Sequence, residues 1–542
     1  MSTAAIANRT DAPPDPQAKA EARRRTWVLV AVCTGLIAVV ASVSGLNVAQ
    51  GQLAADLGAT QSQLLWVING YTIALAALLL PVGAIGDRWG RKHVLLAGLT
   101  IFALANVGAA FAGTVNQLLA ARVVAGAAAA MIMPVTLSVI TSTFPEEERD
   151  RAIGVWAGFA GAGGILGLLS SSIVVDNFTW PWVFAAPTVL ALAALVMTLA
   201  VVPHSREDHE GQFDTLGSFL SAIAVGGLVL AVHEGPEVGW TEPLTVFGLT
   251  AGFLGAAWFA WWESRVETPL LDLRVFKNRS LASSSVVLMV LFAMMMGLFL
   301  IIVQFLQAVL GYSAIKASLS LMPMAAVMMP LSAMAPRIAT RVGYRTMFTV
   351  GMGLFAGGLA MMASMTSVSG GYWSVLPGLL VLAVGMGLAQ TPATTAITAS
   401  LPVEEQGVAS ALNDTVREFG GALGIALVGS ILSSGYQSNL GSAPDALPPE
   451  AAEAVRSGIG GASFVAQQAG AAGEQIMTVA RGAFVDGLST SLWVAAGISL
   501  LAGVAAFFWT PRQAHAADGD VVELDELSVL EHSIEAEAAL VD

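Results

Sequence analysis

Apolar runs of about twenty residues recur along the whole 542-residue chain, and short polar joints separate them. A helix needs about 20 apolar residues to cross the hydrocarbon core of a bilayer. The chain is 56% hydrophobic and only 11% charged, whereas soluble domains carry about 25% charged residues. We therefore predict an all-α polytopic membrane protein rather than a soluble protein with a large buried core.

Fourteen spans are predicted, and the even number puts both termini on one side of the membrane. Their approximate ranges are 27–49, 64–84, 94–113, 117–140, 152–175, 181–202, 216–233, 243–262, 281–309, 315–336, 346–367, 373–400, 408–432 and 487–509. Of the 24 lysines and arginines, 19 fall on the side of the termini, three on the other side and two within spans. Under the positive-inside rule, the side of the termini is cytoplasmic.

The spans predict five segments. They are an N-terminal tail at 1–26, a six-helix half at 27–202, a linker with spans 7 and 8 at 203–262, a second six-helix half at 263–510 with an outer loop at 434–482, and a cytoplasmic tail at 511–542. The final tail contains nine acidic residues and one arginine. This composition is typical of a solvated chain end.

The joint between the second and third spans is a dense charged turn. Its sequence is Gly83-Ala84-Ile85-Gly86-Asp87-Arg88-Trp89-Gly90-Arg91-Lys92. Glycines at the end of a span let neighbouring helices approach closely, and Gly90 permits a tight turn. Because cations alone would orient the chain, the acid Asp87 among them predicts an ion network at the inner surface. The alternative is that these charges only mark topology.

The turn at 335–345, between spans 10 and 11, repeats this pattern. Three pairs of positions match in residue class and one pair differs. The matching pairs are Arg88 and Arg341, Gly90 and Gly343, and Lys92 and Arg345; the differing pair is Asp87 and Thr340. Each copy follows the second span of a six-span block. Repeated halves of this kind are typical of transporters that bind their substrate between the halves.

The pattern Gly-x-x-x-Asp-Arg-x-Gly-Arg-Lys at 83–92 resembles the signature loop of the major facilitator superfamily. Fourteen spans, together with weaker motifs at 214–217, 269–274 and 411–422, resemble its 14-helix drug:proton antiporter subfamily of multidrug efflux transporters. The resemblance covers about residues 27–510. It implies the major facilitator fold, with two six-helix halves plus two extra linking helices. It also implies a conformational latch at the signature turn, formed by Gly83, Asp87, Arg88, Gly90, Arg91 and Lys92.

Charged residues within predicted spans are candidates for function, because each costs about 3 kcal/mol at the centre of a span. Asp414 and Glu418 lie one helical turn apart and share a helix face with Arg417 between them. Burial favours the neutral form of a carboxyl group, so such acids can take up a proton. We predict that Asp414, Glu418, Arg417 and Arg122 serve proton coupling; the resemblance implies this role for Arg122. The alternative is a static internal ion pair.

The chain also departs from the family pattern. Ser42 occupies the place of an acid that many members carry in span 1, and Asn69 replaces an acid that some relatives carry in span 2. The antiporter motif Gly-Pro-x-x-Gly-Gly of span 5 is replaced at 167–172 by Gly-Leu-Leu-Ser-Ser-Ser. If proton coupling survives these changes, the acids of span 13 must carry it.

Polar and aromatic residues within the spans are candidates for lining a central substrate cavity. They are Asn47, Trp66, Asn69, Tyr71, Trp156, Gln304, Gln307, Gln390 and Asn413. Methionines at 294–296 would add an adaptable apolar wall, which suits large lipophilic molecules. For each residue, the alternative is that it faces lipid or a packed neighbour.

The sequence favours a secondary active exporter of lipophilic or cationic drugs or similar amphiphiles, driven by protons through alternating access. One rival is an exporter or flippase of an endogenous lipid or secondary metabolite; another is a non-transporting membrane receptor or scaffold. We expect a monomer in a prokaryotic plasma (inner) membrane, with lipophilic small molecules, protons and membrane lipids as partners.

No enzyme activity, cofactor or metal site is expected. The chain lacks a nucleotide-binding Gly-x-x-x-x-Gly-Lys-Ser/Thr loop, and its six histidines show no spacing typical of metal ligands. Nucleic-acid binding is not expected of a chain with a sequence pI near 4.9.

Overall fold

The computed structural model describes residues 16–204, 213–470 and 473–511, and the regular structure within these ranges is helical. The sixteen α-helices of this part of the chain are α1 (Pro16–Leu57), α2 (Gln61–Trp89), α3 (Arg91–Ala110), α4 (Val115–Thr143), α5 (Glu146–Asn177), α6 (Ala185–Val201), α7 (Thr215–Val238), α8 (Pro243–Glu263), α9 (Arg279–Gln304), α10 (Ala314–Val342), α11 (Tyr344–Met365), α12 (Leu376–Thr398), α13 (Gln406–Leu440), α14 (Pro449–Ser457), α15 (Ile459–Gln468) and α16 (Gly473–Trp509). A π-helical turn, Phe305–Val309, continues α9.

Fourteen of the described helices, all except α14 and α15, are long and apolar enough to cross a membrane. The predicted number of spans and the predicted all-α fold class are therefore confirmed. Each span was found because a run of about 20 apolar residues leaves a strong sequence signal.

The helix ends differ from the predicted boundaries. Helix α1 begins at Pro16, inside the predicted N-terminal tail. Helix α13 continues to Leu440 and α16 begins at Gly473, so both extend into the range predicted as an outer loop, which also contains α14 and α15. Hydropathy marks the apolar part of a helix, and these extensions are polar or Ala-rich helix beyond it. The acidic tail from 512 onward and the first fifteen residues lie outside the described residues.

The helices pack in two groups of six. In the first, α2 packs on α4, α3 packs on α4 and α6, and α1 packs on α5 and α6. In the second, α13 packs on α9 and α16, α11 packs on α12 and α16, and α10 packs on α12. Helices α7 and α8 pair closely through glycines, since a Cβ on Gly227 would lie 2.7 Å from the Gly252 nitrogen. Helix α7 also packs on α2 and α13.

The start of α1 and the end of α16 lie on one face of the protein, called here the terminal face. Arg25 at the start of α1 pairs with Glu148 at the start of α5. Arg345 at the start of α11 donates to the Thr510 carbonyl at the end of α16. The ends of α2 and α10 and the starts of α5 and α13 therefore share this face.

Two seams join the halves, one between α2 and α13 and the other between α5 and α10. Near the terminal face, a Cβ on Gly83 would lie 2.5 Å from the Gly407 carbonyl oxygen, and a Cβ on Gly154 would lie 2.6 Å from the Ser332 carbonyl oxygen. Such distances are too short for any side chain, so glycine alone permits these helices to approach as they do. Both seams are closed at the terminal face.

Candidate functional site

At the α2/α13 seam, the carboxylate of Asp87 accepts hydrogen bonds from the start of α13. The Gly407 N–H donates to both carboxylate oxygens at 2.8 and 2.7 Å, and the Val408 N–H donates at 3.2 Å. Arg91 pairs with the same carboxylate at 3.0 Å. Asp87 is only 2% exposed. A buried acid of the first half thus caps the positive end of a helix of the second half.

Gly90, Lys92 and Arg88 of the predicted latch differ from Asp87 in their positions and contacts. Gly90 has φ of 100°, which glycine adopts readily, and it separates α2 from α3. The Lys92 ammonium donates to the carbonyls of Leu199 and Val202 at 3.1 and 2.8 Å, so it ties α3 to the end of α6 within the first half. Arg88 is partly exposed at the end of α2. Asp87 and Gly83 of the predicted latch contact the start of α13 in the second half.

A buried ion pair lies on α13. The Arg417 Nη1 atom donates to Asp414 Oδ1 at 3.1 Å, and the Asn413 amide donates to the same oxygen at 3.2 Å. Asp414 is fully enclosed and Arg417 is 4% exposed. The second oxygen, Asp414 Oδ2, is buried without a hydrogen-bond partner among the described residues. An uncompensated acceptor of this kind is costly in a buried site.

The Arg417 guanidinium lies between aromatic rings of the two halves. Its Cζ atom is 4.4 Å from the ring centre of Phe292 on α9 and 5.4 Å from that of Trp156 on α5. The Trp156 indole is fixed by a 3.0 Å hydrogen bond to Thr136 on α4. A movement of one half against the other would therefore change the environment of Arg417 directly.

Arg122 occupies a separate buried position within the first half. Its Nη1 atom donates to the Ser42 hydroxyl at 2.9 Å, and its Cζ atom lies 4.1 Å from the ring centre of Tyr71. The Nη2 atom is buried without a hydrogen-bond partner among the described residues. The Ser42 hydroxyl, which stands in the place of the family acid, donates in turn to Asn106 at 3.4 Å. Arg122 Nε also donates to the Val67 carbonyl at 3.4 Å. The guanidinium thus contacts a hydroxyl, a carbonyl and an aromatic ring instead of a carboxylate.

The four residues predicted to couple protons do not form one cluster. Asp414 and Arg417 make an ion pair, whereas Arg122 makes its contacts with α1 and α2. Glu418 is partly accessible, in contrast to Asp414, and it lies within the range of a Coulomb interaction with the Tyr71 hydroxyl. Tyr71 is therefore a point at which the Arg122 site and the acids of α13 come near each other.

Two of the residues predicted to line a cavity, Trp156 and Gln390, contact the other half, and Asn413 lies beside the buried ion pair. Trp156 contacts Arg417, and Asn413 contacts Asp414. Gln390 on α12 donates to the Ala157 carbonyl on α5 at 3.1 Å, and its own carbonyl oxygen is buried without a hydrogen-bond partner among the described residues.

For the remaining cavity candidates, the structure gives the burial of the side chain. Asn69 on α2 is buried and Trp66 is partly buried, while Gln304 and Gln307 are partly buried at the end of α9 and in its π-helical turn. The side chain of Asn47 lies outside the described residues. Cavity lining by this set stays a prediction.

Several buried polar residues were not predicted. Glu234 on α7 and Glu263 at the end of α8 are 6% and 4% exposed. Both fall just beyond the predicted ends of their spans, at 233 and 262, which explains why they were overlooked. Phe292 and Thr136, which surround Arg417 and Trp156, carry no chemical signal in the sequence, since phenylalanine and threonine are common throughout membrane helices.

These features define a class: a multi-pass helical membrane protein whose two six-helix halves meet at glycine-rich seams around buried charges. The chain belongs to the Major Facilitator Superfamily, whose family model matches residues 30–425. The family resemblance inferred from the signature turn is therefore confirmed.

Relatives extend this match over nearly the whole chain. The multidrug resistance protein Stp of Mycobacterium tuberculosis is 29% identical over 514 residues, which cover 92% of this chain and 95% of the relative. The multidrug efflux pump LfrA of Mycolicibacterium smegmatis is 32% identical over 485 residues, with coverage of 88% and 95%. These relatives confirm the resemblance to the multidrug efflux transporters of the superfamily.

Among solved structures, the proton:xylose symporter XylE bound to 6-bromo-6-deoxy-D-glucose has a similar fold. The TM-score is 0.61 at 12% sequence identity, with coverage of 92% of this chain and 98% of that structure. Identity at this level establishes a shared fold and nothing about substrate.

Proposed function

We propose that this protein is a proton-coupled secondary active exporter of lipophilic or cationic drugs or similar amphiphiles, which it moves by alternating access. Residues 27–202 and 263–510 would be the two halves that rock against each other, and the helices of 203–262 would link them. Family membership and the names of the relatives, which refer to multidrug resistance and efflux, support an exporter. The seams closed at the terminal face support a state in which the opposite face opens.

The observation that carries this proposal is the Asp414–Arg417 pair. It is buried in a spanning helix, one carboxylate oxygen has no hydrogen-bond partner among the described residues, and the guanidinium lies between rings of both halves. Charged side chains within a membrane are costly, so a buried ion pair there is a candidate for function. We infer that proton binding at Asp414 releases Arg417 and that proton loss restores the pair, while partly accessible Glu418 exchanges protons with the aqueous side.

We further propose that the protein is a monomer in the bacterial inner membrane, with its terminal face in the cytoplasm. The excess of lysines and arginines on that face supports this orientation. Export then starts from a state with the cytoplasmic face open and ends in the state described here. The Asp87 cap would have to form once in each cycle.

A second candidate is an exporter of an endogenous lipid or secondary metabolite. One specific observation favours it: Arg122 contacts Ser42 where many family members have an acid. A carrier without that acid has one fewer group with which to bind a proton or a cationic substrate.

The test is reconstitution into liposomes with an imposed pH gradient, offering a panel of lipophilic cations and neutral lipids. We expect gradient-driven movement of the cations, and abolition of it by Asp414→Asn. The matched control is Asp486→Asn, because Asp486 is an exposed acid on α16. Movement of neutral lipid alone would select the second candidate. Unchanged pH dependence in Asp414→Asn would remove Asp414 from the coupling mechanism.

A further inference from the structure

Described residues between α6 and α7 contact the first charged turn, at 83–92, and the start of α3. The Lys92 ammonium donates to the Val202 carbonyl at 2.8 Å. The rings of His93 and His204 lie 5.4 Å apart. Just before α7, the ring of Phe213 lies 6.5 Å from that of Trp89. In the first half, described residues between α6 and α7 thus contact the turn between α2 and α3 and the start of α3.

The second charged turn has a groove at the equivalent place. The groove has a volume of about 340 Å³ and opens on the terminal face beside the end of α16. Its polar lining comes from Thr340, Arg341, Arg345 and Thr346, and Phe507 forms an apolar wall. Among the described residues, no acid lines this groove. Two guanidinium groups and two hydroxyls without a carboxylate make a surface suited to anions.

The neighbourhood of the groove adds to this character. Helix α11 starts here after Gly343, without a side-chain cap and without an acid in its first turn, so the positive end of the helix dipole is not offset locally. Asp150 on α5 interacts electrostatically with Tyr344 and is not part of the lining. Arg337, one turn earlier on α10, is exposed and also lies outside the groove.

The chain leaves α16 directly at this groove. Arg345 donates from Nε to the Thr510 carbonyl at 2.8 Å, as Lys92 does to the chain after α6. The sequence then places five acids within nine residues: Asp518, Asp520, Glu523, Asp525 and Glu526. Asp518 is eight residues beyond Thr510, and an extended chain of that length reaches about 26 Å, which is more than the groove requires.

We propose that the acidic segment 518–526 of this chain docks in the groove beside Arg341 and Arg345, where it contacts the second turn as Val202, His204 and Phe213 contact the first. The attraction is electrostatic, because five carboxylates meet a lining with two guanidinium groups and no acid. Both arginines are partly or largely exposed, so salt should weaken the contact. Docking places the tail on the second half next to the α5/α10 seam.

The test measures the position of the tail in the full-length protein by pulsed electron paramagnetic resonance. The only cysteine, buried Cys33, is replaced by serine. Spin labels are attached at Val521 in the tail and at exposed Ser264, which follows α8 on the terminal face. We expect one narrow distance distribution at low salt, and a broad one at about 1 M salt, where the Debye length falls to about 3 Å.

The decisive variant is Arg341→Glu, which we expect to broaden the distribution at low salt. Arg337→Glu is the matched control, since it makes the same charge change on the same helix outside the groove, and it should leave the distribution narrow. Equal broadening by both variants would overturn the proposal in favour of diffuse attraction. A broad distribution in the unmodified protein at low salt would also overturn it.

Anionic lipid is the competing occupant of the groove. The same measurement in nanodiscs of phosphatidylcholine, with and without phosphatidylglycerol, separates the two. We expect a narrow distribution in both. A distribution that is narrow only in the neutral discs would assign the groove to lipid phosphate and overturn docking of the tail.

Discussion

The two seams between the halves are related by the internal repeat, yet they are held in different ways. At the α2/α13 seam, Asp87 of one half caps the start of a helix in the other half. At the α5/α10 seam the matching residue is Thr340, whose hydroxyl donates to the Arg337 carbonyl of its own helix. There the first turn of α5 carries its own acids at 146–148. The start of α13 is thus capped by an acid of the other half, whereas the start of α5 has acids in its own first turn.

This difference indicates where the cycle is controlled. The hydrogen bonds from α13 to Asp87 exist only while the α2/α13 seam is closed. They therefore stabilise the closed state relative to the open state. A charge that belongs to the same helix stabilises that helix in every state. We therefore expect the α2/α13 seam to set the equilibrium between closed and open terminal faces, and the α5/α10 seam to act mainly through close packing.

The largest expected effect is that of Asp87→Ala. Each hydrogen bond to a charged group contributes about 1.5–3 kcal/mol, and the carboxylate accepts bonds from Gly407 and Val408 across the seam. A loss of about 3 kcal/mol would shift the equilibrium about a hundredfold toward an open terminal face. Spin labels at exposed Glu147 and Glu404, one on each half, should report a longer distance.

The control for this prediction is Asp176→Ala, because Asp176 is an exposed acid at the other end of α5. It should leave the label distance unchanged. If Asp87→Ala kept the closed distance, the charge across the seam would not be what holds it.

The next effect is steric and should be shared by both seams. Gly83→Val and Gly154→Val each place a side chain where a backbone oxygen lies at 2.5 or 2.6 Å. Overpacking costs about 1–3 kcal/mol, so we expect export in liposomes to fall about tenfold or more in each. Gly357→Val is the control, since a Cβ there meets nothing within 4 Å. A normal rate in Gly154→Val would mean that the α5/α10 seam can loosen without cost.

Much of this arrangement was predictable from sequence. Runs of apolar residues specify the spans, and the turn at 83–92 specifies both the family and the presence of an ion network. The partner of Asp87 was not predictable, because Asp87 bonds to the backbone N–H of Gly407, which lies 320 residues away. Any residue other than proline offers that N–H, so the contact leaves no trace in residue type.

The buried charges show the same limit. Asp414, Arg417 and Arg122 stand out in the sequence because charge is rare within apolar runs. Their separation into an ion pair on α13 and a lone cation near Tyr71 depends on how the helices are arranged, which the composition of a single span does not encode. The sequence shows Ser42 in the place of a family acid, but the contact of Ser42 with Arg122 is seen only in the structure.

A smaller effect is expected from Gln390→Leu. This change removes one neutral hydrogen bond across the contact between α12 and α5, at 3.1 Å, which is worth about 1 kcal/mol. Export should fall about fivefold, with little change in its dependence on the pH gradient. A change in that dependence would instead connect Gln390 to the proton pathway through α5, where Trp156 precedes its hydrogen-bond partner Ala157.

The smallest effect is expected from Thr340→Asp, which gives the second turn the acid of the first. Thr340 is exposed, so a charge there is screened and contributes under about 1 kcal/mol. The start of α5 already has three acids of its own, so it gains nothing from a fourth. We expect export to stay within about threefold of the unmodified rate. The sharper measurement combines this change with Asp87→Ala. Rescue of seam closure by the new acid would mean that the two seams are interchangeable. Failure of rescue would mean that only the start of α13 depends on a charge from the other half.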